Sequence, residues 1–178
     1  MKAQHIHSSD LKLKHFGYGE WVEEPDFVEF EHLGFLCIVI RVFNKEPFIK
    51  KETYFGGHLC AYVRIPENHP WYKKGYDEIE VDIHGGLSFS SLWKDEKTPV
   101  ANGYYIGFDC AHSMDICPSI NLYIKTNPYM KRLCEKYPLD LLPKPYYKNI
   151  EFVINECKLL ANQAKEAQRN TQDKFQET

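Results

Sequence analysis

Between Phe35 and Phe43 the chain reads Phe-Leu-Cys-Ile-Val-Ile-Arg-Val-Phe, an almost unbroken apolar and β-branched run. A run this short and this apolar is read as a central strand, and Gly34 just before it marks a hairpin to the strand that precedes. That preceding run, Phe27-Val28-Glu29-Phe30-Glu31, alternates apolar and acidic residues, as a half-exposed strand does. Leu59 to Ile65, Leu87 to Trp93 and Gly103 to Asp109 have the same character, with Asn102-Gly103 as a turn signal between the last two. Glu78 to His84 alternates cleanly. It is read as a strand with Ile79, Val81 and Ile83 facing the core and His84 sharing the other face with Glu80 and Asp82. Residues 44–57 and 66–76 are read as polar connections. Ser119 to Lys125 is expected to form a last short strand, and Asn127 to Tyr137 a short helix.

The clearest helix begins near Tyr146. Tyr147, Ile150, Val153, Ile154, Cys157, Leu160, Ala161 and Ala164 fall on one stripe at helical spacing. Residues 1–17 read as a polar lead-in and 166–178 as a solvated tail. Strands followed by a terminal helix predict an α+β fold, mainly an antiparallel sheet packed against a long C-terminal helix. At 178 residues one domain, 1–178, is expected.

Composition narrows the function more than it names it. The formal net charge of −3 argues against a binder of long nucleic acid, which needs a basic face. No apolar run reaches the length of a membrane span, and the first residues lack the apolar stretch of a signal peptide, so a cytoplasmic protein is expected. The six cysteines form no CxxC pair and are expected to stay reduced.

Two dense segments stand apart from this scaffold. One is His84-Gly85-Gly86-Leu87-Ser88-Phe89-Ser90, the other Gly107-Phe108-Asp109-Cys110-Ala111-His112-Ser113-Met114-Asp115. Each begins where a β-patterned run stops, the place where folds display chemistry. Glycines let backbone N–H groups approach an anion, hydroxyls add donors, and rings stack on bases. His84, Gly85, Gly86, Ser88, Trp93, Tyr105, Asp109 and His112 are therefore read as one pocket for a small, anionic, nucleotide-like ligand, in a homo-oligomer with no cofactor. The glycines fit neither a phosphate-binding P-loop nor a dinucleotide fingerprint. The competing reading is an enzyme: His84, Asp109, His112 and Asp115 would hold a metal and position water on a phosphoester or related bond. A third is a protein-binding inhibitor that docks by its sheet edge or aromatic surface. Plainer uses exist for each residue. The aspartates cap turns, the rings pack the core, and Cys110 is read as a buried, inert thiol.

The segments Ile65 to Tyr72, Val81 to Phe89 and Tyr105 to His112 resemble a widespread family of small uncharacterised proteins of bacteriophages, prophages and bacteria. The shared motifs are His84-Gly85-Gly86-Leu87-Ser88-Phe89 and Gly107-Phe108-Asp109-Cys110-Ala111-His112, and Asp115 also matches. The likeness covers residues 55 to 165, without the stretch from Cys117 to Pro145. It implies a phage accessory protein in the host cytoplasm. Small phage accessory proteins often counter host defence, and one physically simple way is to bind and sequester a cyclic-nucleotide signal, which is the function expected here.

Overall fold

The computed structural model describes residues 1–45, 54–94, 100, 102–136 and 145–176. Six strands form one antiparallel sheet: β1 (Lys2–Gln4), β2 (Phe27–His32), β3 (Phe35–Lys45), β4 (Tyr54–Ile65), β5 (Phe89–Trp93) and β6 (Gly103–Asp109). Their order across the sheet is β1-β2-β3-β4-β6-β5. The helices are α1 (Ser9–Phe16), α2 (Pro118–Thr126), α3 (Pro128–Lys136) and α4 (Ile150–Gln176). The architecture is α+β, as the pattern predicted. No described helix is long and apolar enough to cross a membrane.

The two-residue turn Leu33-Gly34 joins β2 to β3, with φ of 51° and 86°. Positive φ at both central positions gives the turn the twist of its flanking strands, and glycine takes that conformation without a steric cost. Along β3 and β4, alternate side chains (Cys37, Val39, Leu59, Ala61, Val63) form the main core with Val153, Cys157, Leu160, Ala161 and Ala164 of α4. All five helical residues are fully buried. The two alanines shorten the distance at which α4 sits on the sheet. The other face of the sheet carries a second cluster of Phe27, Ile38, Val100 and Tyr105, with Tyr62, Phe89 and Trp93 packed against it.

Six details differ from the sequence reading. Residues 54–57 belong to β4, while 46–53 lie outside the described residues. Residues 1–17 are not a loose lead-in. They supply β1, paired with β2, and α1, capped by the Ser8 hydroxyl, which accepts from Leu11 N–H, and anchored by buried Phe16. The expected strand 119–125 is helix α2. Pro118 at its first turn pre-sets helical φ, and this outweighs the two-residue alternation of Ile120, Leu122 and Ile124. The expected tail continues α4 to Gln176, in Ala, Gln, Lys and Glu, which favour helix without an apolar stripe. In addition, α4 starts at Ile150 rather than near Tyr146. Asn149 caps it by accepting from Phe152 N–H, and Tyr146 is instead bridged in parallel to Asp115.

A sixth difference lies at Glu78–His84, which pairs with no described strand: Tyr76–Glu78 is one turn of 3-10 helix, Ile79 is extended and His84 lies in a turn. Ile79 is buried, and Val81 and Ile83 pack on the core, as the alternation requires. The backbone bonds to side chains of α4 instead. Gln163 accepts from Asp82 N–H at 2.9 Å and donates to its carbonyl at 3.0 Å, and Glu156 accepts from His84 N–H at 2.7 Å. Backbone groups satisfied by side chains need no neighbouring strand.

Candidate functional site

His84 is delivered by this side-chain-pinned segment, at the point where Gly85 and Gly86 (φ 69° and 75°) turn the chain away. His112 and Asp115 come from the turn after β6, closed by Asp115 N–H donating to the His112 carbonyl at 2.9 Å. The three side chains meet on one oxygen. Asp115 Oδ2 lies 2.8 Å from His84 Nε2 and 3.1 Å from His112 Nδ1, and it accepts from His112 N–H at 3.0 Å. The two imidazoles are edge to face at 5.1 Å, and His84 is edge to face with Phe152 of α4 at 5.4 Å. Gly85 is essential to this packing: a β-carbon there would collide with the His112 ring.

Lys148 completes the group. Its Nζ is 3.6 Å from Asp115 Oδ1, 3.0 Å above the centre of the Tyr146 ring and 4.9 Å from that of Phe152. Asp115 and Lys148 are buried, His84 mostly so, and the side chain of His112 is 38% exposed. Burial alone would raise the Asp115 carboxyl. The hydrogen bonds from His84 and His112 outweigh it and hold the group below the ordinary carboxylate range. Asp115 Oδ1 is buried with no hydrogen-bond partner.

The residues read from the sequence as one pocket therefore separate. His84, Gly85 and His112 come together with Asp115. Ser88 and Asp109 form a second pair, the hydroxyl donating to Asp109 Oδ2 at 2.7 Å, while Asp109 Oδ1 accepts from Ala111 N–H at 3.0 Å. Asp109 is thus committed to the turn and does not join His84. Gly86 contributes backbone only, and a β-carbon there would meet open space. Trp93 and Tyr105 belong to the cluster on the sheet face opposite α4, with Tyr105 fully buried and edge to face with Trp93. Cys110 is buried, and burial pushes its thiol up, away from the reactive form.

Trp93 also lines a groove of about 400 Å³ with Tyr62, Phe43, His7, Ile40 and Asn44. Tyr62 and Trp93 stand perpendicular at 5.3 Å, and His7 stacks flat on Phe43 at 3.8 Å. Burial holds the Tyr62 phenol up, in its neutral form. A larger concavity, about 600 Å³, lies by Arg64, Tyr72 and Tyr104. There Tyr104 spends its hydroxyl on the Lys74 carbonyl, and the Arg64 guanidinium lies against Gly103.

Sequence reasoning missed Lys148, Phe152 and Glu156. Each belongs to a local pattern that gives no hint of a site. It also missed a thiol–imidazole contact, Cys117 Sγ to His58 Nδ1 at 3.5 Å, where Cys117 donates to the Gly56 carbonyl at 3.2 Å and fastens α2 to β4. Compared with known proteins, this chain matches no family model, no curated protein and no solved structure.

Proposed function

We propose that this protein binds a small nucleotide-like ligand in the groove beside Trp93 and Tyr62. In the phage setting that the sequence resemblance implies, it would withdraw a cyclic-nucleotide signal from host defence. The observation that carries this reading is the groove itself. Its volume of about 400 Å³ is in the range of small-molecule sites. Rings line it, and stacking on a base is worth about 1–3 kcal/mol per ring. Asn44 at its edge adds an amide able to donate and accept.

The test is a fluorescence titration of tag-free protein with a cyclic dinucleotide. Binding quenches tryptophan emission, Trp93→Leu abolishes the response, and the ligand is recovered intact after denaturation. Recovery of a cleaved product would instead favour the metal-assisted hydrolase. No response to any nucleotide, together with capture of a host protein, would favour the inhibitor.

A further inference from the structure

We propose that His84, His112 and Asp115 form a binding site for a divalent transition cation, with zinc preferred over magnesium. The site goes beyond the groove reading and shares no residue with the groove. Its three donors come from separate places in the chain: the end of the segment pinned to α4 and both ends of the turn after β6. One donor atom from each lies within 4.8 Å of the others. The two nitrogen-to-oxygen spans, 2.8 and 3.1 Å, are near the edge of about 3.3 Å expected for a tetrahedron with bonds of 2.0–2.1 Å. A cation therefore asks for small ring rotations rather than a new backbone path.

The donor chemistry fixes the class of ion. Two imidazoles with one carboxylate suit zinc and its neighbours, whereas magnesium and calcium favour oxygen ligands. The arrangement also differs from an ordinary structural His–Asp pair. Both imidazoles and a backbone N–H crowd onto Oδ2, while Oδ1 has no hydrogen bond. Lys148, 3.6 Å from Oδ1, holds the carboxylate from the side away from the imidazoles. The 38% exposure of His112 gives a cation a way in from solvent. Three protein donors leave at least one position for water or substrate, the count found in catalytic rather than structural zinc sites.

The experiment uses the full chain without a tag, stripped of metal. Zinc is titrated in competition with a chromogenic chelator, and cobalt serves as a spectroscopic probe. We expect one zinc per chain and visible cobalt bands. His112→Ala, at a half-exposed position, should keep its circular dichroism and lose at least about 100-fold in zinc affinity. His84→Ala should do the same, and Asp109→Asn should change nothing. The proposal is overturned if the wild type binds no zinc above background, or if both histidine variants bind like the wild type. It is equally overturned if Cys117→Ser is the change that removes the metal. Trp93→Leu separates the two readings: it should lose nucleotide binding and keep zinc.

Discussion

Two regions of this molecule bury a carboxylate among cations, and they treat it in opposite ways. Every donor of Arg41 itself is accounted for. Nε donates to Asp26 Oδ1 at 3.1 Å, Nη1 to the Gly57 carbonyl and the Tyr147 hydroxyl at 2.7 Å, and Nη2 to Glu24 Oε2 at 2.8 Å and the Pro25 carbonyl at 3.3 Å. Those bonds use all five guanidinium N–H groups. Asp26 Oδ2 accepts from the N–H groups of Ile6 and His7, and Lys12 Nζ lies 3.3 Å from Oδ1. Glu24 accepts from Tyr147 and from Ile150 N–H at the start of α4. The network ties the amino-terminal segment, β3 and α4 together. Around Asp115 one oxygen is crowded, the other has no hydrogen bond, and an imidazole reaches solvent. A saturated network is scaffold, and an incompletely satisfied one is where a ligand gains most.

The largest effect should come from breaking the saturated side. Arg41→Met removes the guanidinium that balances the charge of Asp26 and Glu24. Removing one partner of a buried ion network costs about 3–5 kcal/mol. Urea denaturation should show a loss of that size. A loss below 1 kcal/mol would mean that the network is not the scaffold described.

Next in size is Gly85→Ala. An L-residue at φ 69° costs about 1–2 kcal/mol, and its methyl would drive the His112 ring from Asp115. Gly86→Ala is the matched control. Its φ of 75° carries the same strain, but its β-carbon meets nothing within 4 Å. Both variants should melt lower, Gly85→Ala by at least as much as Gly86→Ala, and only Gly85→Ala should lose the His112 contact. Imidazole chemical shifts that move equally in both variants would remove Gly85 from the site.

How much of this was legible follows from what periodicity encodes. Alternation reports which side chains face the core, so β2, β3, β4 and β6 and the parity of Ile79, Val81 and Ile83 were readable. It does not report what the backbone bonds to, so the Glu78–His84 run reads as a strand although Gln163 and Glu156 bond its backbone. In α2, seven residues of alternation hid a helix that Pro118 announces. At the site, three of the four candidate metal donors converge, because His112 and Asp115 are joined by one turn and His84 ends the run that α4 pins beside it. Asp109 sits on the opposite parity of β6 and goes to Ser88. Trp93 and Tyr105 adjoin the motifs in sequence, yet their strand parity sends them to the other face. Lys148 gave no signal, since a lysine before a helix is ordinary.

Acid should unfold the two regions in different windows. His7, beside Asp26, is held below the ordinary histidine value of 6.5 mainly by burial, and the same cause acts on His58 and His69. For a lowered histidine the unfolded chain binds the proton first. Its stability contribution is complete above pH 6.5 and is lost as the pH falls from there through the lower folded value. Asp115 is lowered from 3.8, so its contribution is present above pH 3.8 and is lost only as the pH falls further. Melting temperature should begin to fall below pH 6.5. His7→Phe, which preserves the stack on Phe43, should flatten part of that limb. Asp115→Asn should leave that limb alone and flatten the one below pH 3.8. A single common limb that neither variant changes would erase the distinction between the regions.

The smallest expected effect is the most diagnostic. His112→Ala removes an imidazole that is 38% exposed and bonded to a carboxylate that keeps His84 and Lys148 as partners. Losing one hydrogen bond to a carboxylate that keeps its other partners costs about 0.5–1.5 kcal/mol. The variant should therefore lose only about 1 kcal/mol, several-fold less than Arg41→Met. Measured side by side in urea, a large loss for Arg41→Met and a small one for His112→Ala would separate the residues that hold the fold from those that it presents. Equal losses would mean that His112 belongs to the scaffold, and the crowding of Asp115 Oδ2 would then reflect packing alone.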